Sequence, residues 1–459
     1  MRKASARVVS LLALIATPFA ASAHAFGQQF TLALPVSFFI FGGVAAFIAS
    51  NCVILFFSEP KTHHAVSSAR VTPIQASAAL WKVGAWIGVI GFLLELAFAF
   101  FGLPDFVGNP AVVLFWVWLL LGLTYLSVFF GGVWDFVNPF RTIARFFSKK
   151  PLYAYPAWLE YWPAFILFFL VIQFELYSGG GSADPRVLGS RLVLYAIVAC
   201  IGNALYGSAA WFKYADFFSV FFRMFGMFAP FQLTEQGIER TLPGQKLIDE
   251  HPTRLSLLVF ILFMLSSTAF DGIKETLPWR GILDQVSRLG LAGYLNLFGI
   301  AVLFLSPFIF LGFYALAIGL MRYLTGTKKS FTCLLFRFGY SLIPIAAVYN
   351  FAHYFTLLIG EGQRIIYQLS DPFGLKWNLF GTANFHINQV PLGSNLVWYI
   401  EVFVIVAGHV VAAVVAHRIA VREFDRPKKI VASQISLLIL MVGYTALGLW
   451  ILSRPFVPG

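Results

Sequence analysis

Runs of about 20 apolar residues recur along the whole 459-residue chain, and they constrain its fold more than any other feature. A run of that length can cross the hydrocarbon core of a bilayer as one helix. Only 11% of the residues are charged, whereas a soluble domain usually carries about 25%. The sequence therefore predicts an all-α integral membrane protein, a polytopic helical bundle of about ten transmembrane helices.

The first 23 residues have the pattern of a secretory signal peptide. A basic start containing Arg2, Lys3 and Arg7 precedes a short apolar stretch, and Ala21-Ser22-Ala23 then forms a small-x-small cleavage site. The alternative is an uncleaved first helix. Cleavage after residue 23 leaves a mature chain that starts at His24 on the outer face of the membrane.

The mature chain, 24–459, is predicted to be a single polytopic membrane domain. Its ten predicted spans are 35–57, 80–101, 111–133, 157–177, 188–210, 255–271, 291–320, 332–359, 395–417 and 431–453. The loop at 210–254 contains the segment FFSVFFRMFGMFAPF, which predicts an amphipathic helix lying in the membrane interface. Two longer outer loops are expected, at 272–290 and 360–394.

The net charge of +12 is better explained by membrane topology than by nucleic-acid binding. Most lysines and arginines fall in the short loops that a periplasmic N-terminus places inside, as the positive-inside rule requires. We therefore expect both mature termini on the outer side of the membrane, and no nucleic-acid partner. Cys52, Cys200 and Cys333 show no paired spacing, so neither a disulfide framework nor a zinc motif is indicated.

Ionisable residues within the predicted spans are the candidates for function, because a charged group in hydrocarbon is costly. We predict that Asp271, His353, Glu401 and His409 converge with Asp371, which lies in the turn Asp371-Pro372-Phe373-Gly374, in a cavity open to the periplasm. In that site His353, Asp271, Asp371 and Glu401 are the predicted catalytic residues, and His353 and His409 the predicted metal ligands. Imidazole and carboxylate groups bind divalent metals, whose bound water becomes hydroxide near neutral pH.

Each candidate also has a structural explanation. His353 and His409 would then be hydrogen-bonded across helices, Glu401 would pair with an arginine, and the Asp371 turn would only reverse the chain. His24 would form a chelating pair with the new amino terminus, as in copper sites, or would simply begin the folded chain. The second interpretation of His24 is the favoured one.

Several short motifs occur together in a characteristic order. They are His24-Ala25-Phe26-Gly27-Gln28, Val137-Asn138-Pro139-Phe140-Arg141-Thr142, Tyr155-Pro156-Ala157-Trp158, Asp184-Pro185-Arg186-Val187-Leu188, Phe218-Ser219-Val220-Phe221, Phe270-Asp271-Gly272, Asn350-Phe351-Ala352-His353-Tyr354, Asp371-Pro372-Phe373-Gly374, Trp377-Asn378-Leu379-Phe380-Gly381, Ala407-Gly408-His409-Val410-Val411 and Ala416-His417-Arg418. With these motifs the chain resembles the bacterial membrane-bound fenitrothion hydrolase family from about residue 24 to residue 425.

The resemblance implies hydrolysis of lipophilic organophosphorus triesters at the phosphorus–aryloxy bond, with release of a nitrophenol. It also implies location in the bacterial inner membrane and a related membrane subunit as partner, in a heterodimer. It assigns no catalytic residue, so the site residues named above come from the sequence pattern. Two alternatives stay open: a polytopic transporter or metal-handling permease, and a non-catalytic partner subunit.

Overall fold

The computed structural model describes residues 41–45, 48, 78–147, 150–235, 237–389 and 391–452. The predicted signal peptide and His24 lie outside these residues, as does most of the predicted first span. Nearly all regular structure in the described part is helical, and the chain is an all-α polytopic membrane protein.

Sixteen helices of the described part are numbered here in chain order, and short 3₁₀ and π turns connect several of them. They are α1 Ala78–Phe101, α2 Pro110–Phe129, α3 Val133–Val137, α4 Pro139–Phe147, α5 Trp162–Tyr177, α6 Pro185–Tyr206, α7 Phe217–Gly226, α8 Gln245–Asp249, α9 Leu255–Lys274, α10 Leu277–Val286, α11 Leu295–Thr325, α12 Phe331–Arg337, α13 Ile343–Gly360, α14 Arg364–Gln368, α15 Ser394–Glu423 and α16 Pro427–Leu452. The middle of α2, Leu114–Gly122, is π-helical.

Eight helical segments in the described part of the chain are long and apolar enough to cross a membrane. They correspond to eight of the ten predicted spans. The predicted span at 157–177 is different, because its helix α5 begins only at Trp162 and has 16 residues. That length is below the roughly 20 residues that a perpendicular span needs.

Helix α9 lies at the centre of the bundle. It packs against α5, α11, α13 and α16, and every residue from Ser256 to Gly272 is buried. Its sequence is apolar on all faces, which is the pattern of a helix surrounded by protein. The few polar groups on α9, including Asp271 near its C-terminal end, are therefore held inside the protein rather than against lipid.

Phenylalanine side chains fill much of the space between α5, α7 and α9. Phe168 contacts the rings of Phe217, Phe221, Phe260 and Phe263, with centroid distances between 4.7 and 5.3 Å. Aromatic pairs at such distances add to the stabilisation that burial of their surface provides.

Helix α7 forms where the sequence predicts an amphipathic helix, but its position differs from the prediction. Nine of its ten residues are buried in the protein, and only Arg223 is partly exposed. Protein contacts therefore take the place of the lipid contacts that an amphipathic helix at the interface would make, because α7 packs against α2 and α5 and joins the core. The predicted outer loop at 272–290 likewise contains a helix, α10.

A small three-stranded sheet covers the connection that follows α7. Strand β1, Phe130–Gly131, pairs in parallel with β2, Phe231–Thr234, and β2 pairs antiparallel with β3, Gly237–Arg240. The buried side chain of Gln232 donates to the carbonyl oxygens of Gly226 and Ala229 and so ties the sheet to the end of α7.

Candidate functional site

The C-terminal end of α9 and the middle of α13 bring His353 and Asp271 together. The Nε2 atom of His353 lies 3.0 Å from Oδ2 of Asp271. The two side chains are 7% and 1% exposed, so the contact is inside the protein. A buried charged group is tolerated where it is paired, and this contact provides the pairing.

Two neighbours also hold the carboxylate of Asp271, one by a hydrogen bond and one by an ion pair. The Tyr354 hydroxyl donates to Oδ2 at 2.9 Å, and Nζ of Lys274 lies 3.5 Å from Oδ1. Lys274 is itself only 8% exposed and lies 3.0 Å from the carboxylate of Glu275. The carboxylate of Asp271 is thus fixed by donors on both of its oxygens.

Helix α5 contributes two further side chains to this site. Glu175, near its C-terminal end, interacts electrostatically with Lys274 and Tyr354, and Tyr177 interacts with Asp271. We call these seven residues the Asp271 cluster: Glu175, Tyr177, Asp271, Lys274, Glu275, His353 and Tyr354. One lysine and one histidine are thus placed among three carboxylates near the C-terminal ends of α5 and α9.

The contact with Asp271 determines which nitrogen of His353 is available for chemistry. A carboxylate oxygen accepts, so Nε2 carries the proton and Nδ1 keeps its lone pair. The edge of the ring that carries Nδ1 faces Gly272, where an added Cβ would lie 3.7 Å from Nδ1 and 3.4 Å from Cε1. Among the described residues no hydrogen bond to Nδ1 is found, so its lone pair is not engaged by them.

Tyr349 adds a polar atom near the cluster. It precedes His353 by one helical turn on α13 and interacts electrostatically with Asp271. Its side chain is buried, and within the described ranges its hydroxyl has no hydrogen-bond partner. A buried hydroxyl left without a partner costs about 1–3 kcal/mol, which makes it a candidate contact for a bound molecule.

Asp371 lies in a different environment from the one predicted for it. Its Oδ1 accepts from the backbone N–H of Leu375 and its Oδ2 from that of Lys376, both at 2.8 Å. Gly374 and Lys376 adopt positive φ angles of 69° and 61° in this turn. Asp371 therefore holds the turn in shape, and the predicted catalytic role is not supported by its contacts.

Glu401 and His409 are both buried in α15 as predicted from their place in an apolar run, with 6% and 1% exposure. The Nδ1–H of His409 donates to the carbonyl oxygen of Ile405 at 2.8 Å. Glu401 makes no hydrogen bond or ion pair with a described residue, so the alternative in which it pairs with an arginine is not found there.

The predicted metal centre is not assembled in the described part of the chain. No three histidine, cysteine, aspartate or glutamate side chains are grouped there as metal ligands. Of the five predicted residues, the structure brings His353 and Asp271 into direct contact, whereas Asp371 is engaged by the backbone of its own turn.

Sequence reasoning missed Lys274, Tyr354 and Tyr349. Two of these had a usable signal, since Lys274 follows Asp271 by three residues on α9 and Tyr349 precedes His353 by four residues on α13. Residues three or four apart on a helix are neighbours on its surface. Lys274 falls in a predicted outer loop, because the predicted span ends at residue 271 whereas the helix continues to Lys274.

A buried His–Asp pair of this kind suits proton abstraction from water or from a ligand. The carboxylate orients the imidazole and stabilises the imidazolium that forms when Nδ1 takes up a proton. No family model, no curated protein and no solved structure matches the chain.

Proposed function

We propose that the chain is a subunit of a membrane-bound hydrolase that cleaves the P–O-aryl bond of neutral organophosphorus triesters of the fenitrothion type. The observation that carries the proposal is the buried contact of 3.0 Å between His353 Nε2 and Asp271 Oδ2. The order of short motifs along the sequence adds the substrate class, through resemblance to the fenitrothion hydrolase family.

The proposed reaction uses His353 as a general base. Water hydrogen-bonded to Nδ1 attacks phosphorus, its proton passes to Nδ1, the new O–P bond forms and the P–O-aryl bond breaks. Asp271 stabilises the imidazolium through Nε2–H, and Lys274 and Tyr354 hold the carboxylate in place. The proton then leaves to solvent or to the departing nitrophenolate. General-base catalysis of this kind contributes about 10²–10⁴-fold.

The substrate fits the environment of the cluster. A neutral triester partitions into the bilayer and reaches a site between helices without a basic phosphate cradle. The nitrophenolate is a good leaving group, so no strong general acid is needed. The base in this proposal is the imidazole of His353, which contacts Asp271 through its other nitrogen.

The charge distribution supports a location for the site. Most lysines and arginines lie in the loops on the side of the membrane away from the C-terminal end of α9, and loops rich in these residues are cytoplasmic. We therefore infer insertion in a bacterial inner membrane with the Asp271 cluster on the periplasmic side. A related membrane subunit completes the proposed heterodimer. Hydrolysis is compared between membranes that contain this chain alone and membranes that contain both subunits. The comparison distinguishes a catalytic subunit from a non-catalytic partner.

The test is nitrophenol release from fenitrothion in ¹⁸O-labelled water. Activity with the label recovered in the phosphorus product supports attack at phosphorus. Release of nitrophenol with the label in the phenol, or no release from either membrane preparation, contradicts the proposal.

A second candidate function is transport, and one observation favours it. Glu95, Glu401 and His409 are buried in membrane-spanning helices outside the Asp271 cluster. Ionisable residues at such positions mark ion or proton pathways in transporters. Proteoliposomes that show ion- or substrate-dependent uptake, abolished in Glu401→Gln, would favour transport over hydrolysis.

A further inference from the structure

A cavity of about 210 Å³ lies outside the Asp271 cluster, between α3, α4, α7 and the segment that follows α6. Its walls are formed by Asp135, Arg141, Arg145, Ser208, Ala209, Phe212, Lys213 and Arg223. Four of these side chains are cationic and one is anionic. Nothing in the proposed hydrolysis uses them.

The positive charge of this cavity is only partly compensated by neighbouring carboxylates. Arg141 pairs with Asp135 at 2.6 Å. Within the described part of the chain, Arg145, Lys213 and Arg223 have no carboxylate oxygen within 4.0 Å. Burial and the neighbouring Arg141 lower the pKa of Arg145, and the more distant Glu235 opposes this effect. An anion in the cavity would relieve the repulsion between the two guanidinium groups.

The cationic groups are held in position by contacts within the protein. The Arg223 guanidinium donates to the Lys213 carbonyl oxygen at 2.7 Å, and Nε of Arg145 lies 3.3 Å from Oγ of Ser208. The Arg141 guanidinium stacks over the Phe212 ring at 5.3 Å. Its Nε atom is buried, and among the described residues it has no hydrogen-bond acceptor.

Charges that only set membrane topology would not need this arrangement. The positive-inside rule depends on which loop carries a lysine or arginine and not on the direction of its side chain. Here residues from α4, from α7 and from the segment before α7 converge on one cavity. Convergence of this kind indicates a binding site for an anion.

The cavity lies at the opposite end of α9 from the Asp271 cluster. The backbone N–H of Tyr161 donates to Oγ of Ser256, at the start of α9, and Tyr161 interacts electrostatically with Arg223 and Lys213. Asp271 is near the other end of this 20-residue helix, which is about 30 Å long. That length equals the hydrocarbon thickness of a bilayer, so the cavity lies near the other membrane surface.

Apolar surface adjoins the cationic side chains. Phe146 and Phe147, which follow Arg145 directly, are 67% and 76% exposed. Phe146 packs against the half-exposed Trp86 at 6.0 Å. Basic pockets beside lipid-facing helices at a membrane surface suit the phosphate group of an anionic lipid, with the acyl chains on the apolar surface.

We propose that this cavity binds a phosphate group, through the guanidinium groups of Arg141, Arg145 and Arg223 and the ammonium group of Lys213. Arginine presents paired donors that match phosphate oxygens, and hydrogen bonds between charged partners are about twice as strong as neutral ones. The site is independent of the hydrolase proposal and retains its function if no triester is cleaved.

The test is binding to the purified full-length protein in non-ionic detergent. Tryptophan fluorescence titrations use dihexanoyl phosphatidylglycerol, dihexanoyl phosphatidylcholine and inorganic phosphate. Arg145→Gln/Lys213→Gln is expected to raise the Kd for phosphatidylglycerol about tenfold. The matched control Arg322→Gln/Lys328→Gln removes the same charge from exposed positions on α11 and in the loop after it, and should leave the Kd unchanged.

The ligand series identifies the source of the phosphate group. Charge-dependent binding of phosphatidylglycerol without binding of inorganic phosphate supports a lipid headgroup. Charge-dependent binding of inorganic phosphate as well supports a soluble phosphate compound. Ala209→Glu, which places a carboxylate in the cavity without removing any contact, should block binding in either case. Equal affinities of the wild type, Arg145→Gln/Lys213→Gln and Ala209→Glu for every ligand would overturn the proposal.

Discussion

His353 and Asp271 are 82 residues apart in the chain, yet Nε2 of the one lies 3.0 Å from Oδ2 of the other across the contact between α9 and α13. Both side chains are almost completely buried. The pair is further fixed by Lys274 and Tyr354, and the Nδ1 edge of the imidazole lies beside Gly272. These four side chains form the centre of the candidate site.

The ion pair between Lys274 and Asp271 predicts a strong coupling between the two residues. Lys274→Met should lower the free energy of unfolding by about 3–5 kcal/mol, because it leaves a buried carboxylate without its cation. Adding Asp271→Asn should recover part of that loss. Thermal unfolding of the single and double variants in detergent measures the coupling. Additive losses would contradict a direct interaction.

Asp371 is predicted to matter for stability and not for turnover. Asp371→Ala removes two side-chain hydrogen bonds to the backbone N–H groups of Leu375 and Lys376, each worth about 1 kcal/mol. We expect a lower Tm with unchanged hydrolysis per folded molecule. A loss of activity at full stability would return Asp371 to the site, as the sequence first indicated.

Helix α1 passes close to the end of α3, and this contact predicts that alanine substitutions at two glycines of α1 change stability differently. A Cβ at Gly88 would overlap the carbonyl oxygen of Val137, whereas at Gly91 nothing lies within 4 Å. Gly88→Ala should therefore destabilise the protein by about 1–3 kcal/mol. Gly91→Ala, one turn later on the same helix, should be neutral or slightly stabilising. Equal Tm values for the two variants would show that the helices do not approach so closely.

His251 predicts a pH dependence of stability at the end of α9 opposite the Asp271 cluster. Burial and the neighbouring Arg337, whose Nη1 lies 3.3 Å from His251 Nδ1, lower the pKa of His251 below its ordinary value of 6.5, and Glu423 opposes them. As the pH falls, the unfolded chain therefore takes up a proton on His251 before the folded chain does. The contribution of neutral His251 to stability is complete above pH about 6.5 and is lost as the pH falls toward the pKa of the folded state.

The measurement is Tm between about pH 7.5 and about pH 5.5. The wild type should lose more stability on acidification than His251→Gln. His386→Gln, at an exposed histidine in the loop before α15, serves as control and should keep the slope of the wild type. A His251→Gln slope equal to that of the wild type would contradict the assignment.

The apolar runs were sufficient to predict the class of fold, because segments of about 20 apolar residues have few other stable conformations. They were not sufficient to separate a helix facing lipid from one surrounded by protein. Helix α7 was placed in the interface for this reason, although Phe217, Phe218 and Phe221 are buried in the core. An amphipathic pattern shows that one face of a helix is apolar. Only the packing shows whether lipid or protein covers that face and whether the other face is buried as well.

Candidate residues of the site were found on α9 and α13 because ionisable groups in apolar runs are rare. Their grouping was not accessible to the same reasoning. Asp371 and Asp271 are both acidic residues near helix ends, but one is engaged by the backbone of its own turn and the other by His353. Long-range pairing of helices decides between the two, and no local pattern encodes it.

The central claim is that His353, oriented by Asp271, activates the water that cleaves the phosphorus–aryloxy bond. It is tested most directly by kcat/KM for nitrophenol release from fenitrothion, in membranes containing both subunits and equal amounts of folded variant. We expect His353→Ala and Asp271→Asn each to lose about 10²–10⁴-fold, while His386→Ala keeps the wild-type value. Wild-type kcat/KM in a folded His353→Ala variant would contradict the account.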